Sequence, residues 1–192
     1  MCSTPRQRSA ASTRQAILAA AHARFLGESY ENVGQRDIAG DAGVDATLVN
    51  RYFGSKEELF REVLSHGPEK KFDDAAADLP TSFADAVVEH CREQDADKLE
   101  RLLIMLRSAS SPQASAIVAE NIERELVAPL TGLIGGDDAR LRATLAMSVM
   151  IGSTVLRSIL GVTTQGECQS DAMRERLVEM FRVALEHARE PA

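Results

Sequence analysis

The stretch GQRDIAGDAGVDATLVNRYF, residues 34–53, decides how this chain is read. Two short helices that cross steeply need a small residue where they touch, a residue tolerant of positive φ in the turn between them, and an apolar residue that locks the second helix. Ala39, Gly43 and Val49 stand at those three places. Ile38, Ala42, Val44 and Leu48 complete a buried side, so a second helix over 45–52 turns Ala46, Thr47, Asn50 and Arg51 outward. Those are the side chains a major groove would receive. The same spacing also arises by chance in alanine-rich helical chains, so the flanking sequence has to decide.

On the N-terminal side, helical spacing runs from Ser12 to Gly27 with Ile17, Leu18, Ala21 and Phe25 on one face, and Tyr30 lies between that helix and the motif. On the C-terminal side Gly54 stops the second helix. Ser55-Lys56-Glu57-Glu58 then reads as a capping box, with Ser55 accepting from the amide of Glu58 and Glu58 reaching back to the amide of Ser55. The box opens a helix through Leu59, Phe60, Val63 and Leu64. The whole stretch 12–64 resembles the DNA-binding domain of the tetracycline-repressor (TetR) family.

That resemblance implies roles residue by residue. The start of the second helix of the domain, which contacts DNA in the family, falls on Gln35 and Arg36, and the base-reading positions fall on Ala46, Thr47, Asn50 and Arg51. Tyr52 and Lys56 match phosphate-contacting places. The chemistry suits these roles: arginine grips guanine bidentately, asparagine can do the same to adenine, and Lys56 sits beside a helix N-terminus that itself attracts phosphate. Four positions depart from the family's habit. Ser29 replaces a glycine, Gly34 a Thr/Ser cap, Gln35 an apolar residue, and Asn50 the frequent Tyr or His. Glycine still caps acceptably, so the helix is expected to form, but no operator preference can be borrowed.

Beyond the motif no run of β-branched residues alternates with polar ones, and an all-α protein is expected: a three-helix helix-turn-helix domain over 11–66, then a helical ligand-binding and dimerisation domain over 67–192. Gly67-Pro68 marks the junction. Further helices are expected near 81–94, 97–108, 112–134, 137–160 and 171–188. Their separators are the Ser111-Pro112 start, the Gly135-Gly136-Asp137 stop and cap, and the polar loop 161–170.

The helix over 137–160 is apolar nearly all round. Leu141, Leu145, Val149, Gly152 and Leu156 form one stripe, which Met147, Met150, Ile151 and Ile159 broaden. The last helix has Met173, Leu177, Met180, Phe181, Ala184 and Leu185 in heptad-like order. Such patterns fit a simple core. The resemblance implies instead that these two helices pair with their copies in a homodimer, with Leu177, Phe181 and Ala184 joining the first stripe at the seam. It also implies a pocket for a small apolar or amphipathic ligand, for which Phe83, Val87, Cys91, Leu102, Met105, Leu106, Ile117, Met147 and Met150 supply adaptable surface.

Composition narrows the classes. The net charge is −7, yet residues 1–66 hold 8 Lys/Arg and 8 Asp/Glu, which leaves 14 and 21 to the remainder. The first 27 residues carry Arg6, Arg8, Arg14 and Arg24 and no acid. A basic arm on a neutral module can touch phosphates while an acidic body stays off the duplex. The start lacks the apolar core of a signal peptide, and the longest uncharged stretch, 143–156, is too short to span a bilayer, so a cytoplasmic location is expected. Cys2, Cys91 and Cys168 form no Cys-x-x-Cys pair, and His22, His66, His90 and His187 are scattered. No metal, cofactor or catalytic constellation is expected. His90 and Cys91 point to different helix faces.

The expected protein is a regulator, most often a repressor, that binds palindromic double-stranded operator DNA as a dimer and is released by a ligand. Two alternatives stay open: a regulator of this fold with no small-molecule ligand, and a helical-bundle enzyme, for which the sequence offers no residues.

Overall fold

The computed structural model describes residues 9–66, 78–93, 96–162, 166 and 170–186, without the side chains of 90–93 and 96. Among them every regular element is helical: α1 (Ala10–Gly27), a 3-10 turn (Tyr30–Asn32), α2 (Gln35–Ala42), α3 (Ala46–Phe53), α4 (Lys56–Ser65), α5 (Leu79–Glu93), α6 (Ala96–Ser108), α7 (Pro112–Ile122), α8 (Ala128–Ile134), α9 (Ala139–Thr154) and α10 (Asp171–Leu185). The all-α expectation holds. Arg6, Arg8, Gly67, Pro68, Cys2, Cys168, His187 and the side chains of His90 and Cys91 lie outside the described residues. Among the described residues no helix is long and apolar enough to cross a membrane, and no cluster of His, Cys, Asp and Glu could hold a metal ion.

The chain divides into two compact units, Met1–Gly67 with Glu100–Asn121, and Pro68–Leu99 with Ile122–Ala192. By its contacts the segment 100–121 groups with the first unit. The reason is a set of long-range bonds that no local pattern announces. Arg107 Nη1 donates to the Gly27 carbonyl at the end of α1 (2.7 Å), Ser111 bonds to Glu31, and Arg61 on α4 pairs with Glu120.

Within the first unit, α1 begins earlier than its apolar periodicity predicts because Ser9 caps it, accepting from the Ser12 amide at 3.2 Å. Phe25, Tyr30 and Phe60 are almost fully buried and meet ring to ring, with Phe60 edge-on to Phe25 at 4.8 Å and to Tyr30 at 5.0 Å. Ala39 and Val49 are buried where the helix-turn-helix needs them, while Val44 and Leu48 are half-buried. Gly43 closes α2 at φ 66°: its amide bonds to the Gly40 carbonyl (3.1 Å) and the Val44 amide to the Ala39 carbonyl (3.0 Å). That is the Schellman arrangement, which requires a left-handed residue at this point. Gly43→Ala is expected to cost about 1–2 kcal/mol, the penalty of left-handed backbone for a residue with a Cβ. Urea denaturation followed by circular dichroism checks it.

The capping box at α4 is half made. Ser55 Oγ accepts from the Glu58 amide (3.1 Å), but the Ser55 amide donates to the Phe53 carbonyl (3.0 Å), and Glu58 turns to Arg61 (3.6 Å).

The second unit is built on α5, α9 and α10. Phe83, Val87, Leu130, Ala146, Met147, Leu177 and Phe181 share its core, with the rings of Phe83 and Phe181 5.5 Å apart. A π-helical turn (Glu123–Val127) joins α7 to α8, where Pro129 has no amide to donate and its ring would crowd the carbonyl four residues back. Widening the helix lets the Ala128 amide reach the Glu123 carbonyl. Arg142 on α9 is nearly buried and binds Asp138 Oδ1 (2.7 Å), the Leu185 carbonyl at the end of α10 (2.9 Å) and the Gly135 carbonyl after α8.

Candidate nucleic-acid interface

α2 and α3 carry the exposed polar face that the sequence assigns to DNA. Asp45 caps α3 by accepting from both the amide (2.8 Å) and the hydroxyl (2.6 Å) of Thr47, and these bonds hold its carboxyl below the usual carboxylate range. The Thr47 hydroxyl hydrogen is therefore engaged, which leaves its methyl group and lone pairs for an outside partner. Arg36, Thr47, Asn50 and Arg51 are exposed, while Gln35, Ala46 and Tyr52 are half-covered. Gln35 Nε2 donates to Asn50 Oδ1 at 2.8 Å, so two of the positions that depart from the family's habit bond to each other across the two helices.

The cations of this unit sort sharply. Arg24 forks onto Asp41 with bonds of 2.5 and 2.9 Å and so ties α1 to α2; Asp41 is held well below the usual carboxylate range by that guanidinium. Arg14 pairs with Glu62 (2.5 Å) and lies 4.9 Å from the centre of the Phe53 ring, pinning the end of α3. Arg61, Arg101 and Arg107 bond to Glu120, to the His66 carbonyl and to the Gly27 carbonyl. Among the described residues, Arg36 and Arg51 bond to nothing. The basic arm read from the sequence is corrected by this pattern, because Arg14 and Arg24 are structural ties and only Arg6 and Arg8, outside the described residues, remain of it.

Lys56 is the first residue of α4 and sits with Nζ 4.1 Å from the centre of the Tyr30 ring. Burial lowers its pKa, against the pull of Glu31 and Glu57, and burial is also the main reason that the Tyr30 phenol is pushed up to about 12. The ring holds the ammonium at the helix N-terminus, where backbone amides already favour an anion.

The residues expected around a ligand are shared between the two units. Phe83, Val87 and Met147 are buried in the core of the second unit with Met150 packed against it, whereas Leu102, Met105, Leu106 and Ile117 belong to the first unit. An open groove along α10, bordered by Thr81, Arg174, Glu175, Arg176, Glu179 and Met180, contains none of the nine.

The expected seam also needs correcting. Leu177, Phe181 and Ala184 are buried within their own protomer, because the heptad-like order on α10 serves the face against α5. The exposed apolar positions on α10 are Met180 and Val183. Leu141 and Leu145 on α9 are exposed, and Leu156, in the π-helical turn Val155–Ile159 that follows, and Leu160 continue the row past it. Val149 and Gly152 are half-covered, and a Cβ added at Gly152 would meet open space.

Comparison with known proteins gives two family matches. A profile of bacterial regulatory proteins of the tetR family matches residues 17–63, and one of the tetracyclin repressor-like C-terminal domain matches residues 77–187. The HTH-type transcriptional regulator BetI of Agrobacterium fabrum is 27% identical over 179 residues, spanning 87% of this chain and 86% of that protein. NalD, the secondary repressor of the MexAB-OprM multidrug efflux pump in Pseudomonas aeruginosa, is 21% identical with a TM-score of 0.65, over 88% of this chain and 94% of its own. SmeT, solved as a complex with triclosan, is 18% identical with a TM-score of 0.58, over 94% of this chain and 98% of its own. At these identities the two structures share the fold.

Proposed function

Because the chain belongs to the TetR family of DNA-binding transcription regulators, we propose that it is a cytoplasmic repressor that grips a palindromic operator as a homodimer and releases it when a small molecule occupies its second domain. The observation that carries the DNA assignment is the pair of unpartnered guanidiniums, Arg36 and Arg51, flanking Asn50 and Thr47 on an otherwise internally paired unit. An unpaired arginine on a helix face is the group that reads guanine or holds phosphate. Tyr52 and Lys56 add phosphate contacts, and Gln35 holds the Asn50 amide while Ala46 leaves room for the groove.

One eight-residue helix makes too few contacts for useful specificity, so two copies must sit about 34–36 Å apart on successive turns of the duplex. The exposed row Leu141, Leu145, Leu156 and Leu160, with Met180 and Val183 beside it, supports a second copy as its cover. Release by a ligand is supported by kinship of fold with SmeT, whose structure holds triclosan. A ligand that releases DNA must prefer the conformer whose recognition helices are wrongly spaced, since equal affinity for both shifts nothing.

The test is selection of an operator from random duplexes, followed by titration of variants against it. Arg36→Ala and Asn50→Ala are each expected to cost about 1–3 kcal/mol and to relax one base position, while Lys56→Ala weakens all sequences alike and lowers the salt slope by about one. Unchanged affinity for both base-reading variants sinks the assignment.

A further inference from the structure

The second unit contains a guanidinium whose two terminal nitrogens are buried without a partner. Arg157 lies in the π-helical turn Val155–Ile159 that ends α9, and its Nε donates to the Ser153 carbonyl at 3.0 Å. Its Nη1 and Nη2 are withdrawn from solvent, and among the described residues no acceptor reaches either of them. Each other described arginine with nearly buried nitrogens, Arg142 above all, has its acceptors in place. A guanidinium carries five N–H donors and cannot neutralise itself by losing a proton, so leaving its two terminal nitrogens dry and unpaired is costly. Such a group calls for a missing partner, and the natural one is an anion.

Position along the helix says where that anion would lie. The bond from Nε to the Ser153 carbonyl turns the guanidinium back along the helix, towards Met150 and Ala146, which precede Arg157 by seven and eleven residues. Ala146 is buried and Met150 packs against the core, while Arg157 is half-buried between the exposed Leu156 and Ser158. Tight packing also stops before it. The last fully buried residue of α9 is Met147, and the π turn has none. Arg157 is therefore a half-covered residue whose two terminal nitrogens are dry and unpaired, with Met147 and Met150 on the helix before it. π turns recur at functional sites because they break the helical ladder and re-aim side chains.

We propose that Arg157 anchors the anionic head of a small amphipathic carboxylic acid, whose apolar body lies along the Met150 side of the second unit's core. This rests on the ligand-release reading above and gives it a chemical class. The fork of the guanidinium matches a carboxylate with two parallel bonds, and Met150 supplies an adaptable wall for varied apolar bodies.

The test titrates the full-length, ligand-free protein with 4-phenylbutyrate and with its neutral amide by calorimetry, in the wild type, Arg157→Met and Arg157→Lys. The wild type is expected to bind the acid about tenfold or more tightly over the amide, as a charge-assisted pair should. Arg157→Met brings the two affinities together, and Arg157→Lys keeps part of the preference. In the absence of any acid, Arg157→Met is expected to raise the melting temperature by roughly 2–4 °C, because it removes an uncompensated buried charge. A melting temperature that falls in Arg157→Met, an acid preference that survives it, equal binding of acid and amide by the wild type, or no saturable acid binding each overturns the proposal. So does loss of dimer in Arg157→Met, which would mean that a second copy supplies the anion. Acid that binds through Arg157 but leaves operator affinity unchanged keeps this site and refutes ligand release. A wild type that holds no selected operator refutes the DNA reading and leaves the acid preference to stand by itself.

Discussion

Leu145→Glu is expected to give a folded monomer that no longer holds operator DNA. Leu145 is 47% exposed in the single chain and lies between Leu141 on α9, at 61%, and Leu156 in the turn that ends it, at 51%. A glutamate there costs the isolated protomer little, since it is a good helix former facing water. In a dimer the same carboxylate would be buried against the partner's apolar row without a counter-ion, a penalty of several kcal/mol that occurs twice by symmetry. Once the two recognition helices are no longer held together, binding should fall by about 10³-fold or more, towards the nonspecific level. Val183→Asp on α10, at 80% exposure, should behave the same way. Sedimentation velocity, circular dichroism and fluorescence anisotropy with labelled operator read the three quantities. A Leu145→Glu protein that remains dimeric and bound to operator refutes the seam.

The contrast with Phe181 shows how much of this was legible in sequence. The family resemblance, laid over a heptad-like order, implies Leu177, Phe181 and Ala184 as parts of the seam, and a charge at Phe181 as a way to split a dimer. Phe181 is fully buried against Phe83, so Phe181→Asp would unfold the protomer instead of separating two of them. A helix apolar on two sides has one face for its own core and one for a partner, and periodicity cannot say which is which. By comparison the helix-turn-helix was readable because its rules are local. The left-handed turn at Gly43, the small Ala39 at the crossing and the buried Val49 each act within a few residues of themselves. What sequence missed was long-range: Arg24 to Asp41, Arg14 to Glu62, and the bonds from Arg107 and Ser111 that draw 100–121 into the first unit. Charged side chains on amphipathic helices all read as solvated until the fold brings an acceptor to them. Gln35 and Asn50 stood out singly as departures from a family habit, and only the geometry shows that they are bonded to each other.

Arg142 is the clearest case of a residue silent in sequence, and its removal should weaken the second unit more than any surface change. Its guanidinium joins three separate ends: Asp138 before α9, the Gly135 carbonyl after α8 and the Leu185 carbonyl at the end of α10. The two carbonyls are helix-terminal groups without partners inside their own helices, so each depends on an outside donor. Arg142→Met fills much of the volume but leaves both carbonyls and Asp138 without that donor. The expected loss is about 3 kcal/mol, near the lower limit for breaking a buried charged pair, because Asp138 is partly reached by water. That corresponds to a fall in melting temperature of roughly 6–12 °C. Arg142→Lys should lie between, since one ammonium cannot span three acceptors in a plane. Asp138→Asn separates the contributions: if it loses as much as Arg142→Met, the ion pair dominates and the carbonyl clamp is refuted. The functional consequence follows from position. Leu185 is two residues beyond Val183, so loosening the end of α10 disorders part of the face assigned to the second copy. Arg142→Met should therefore lower the dimer's affinity as well as its melting temperature, whereas a purely local defect would lower the melting temperature and leave the dissociation constant of the dimer unchanged.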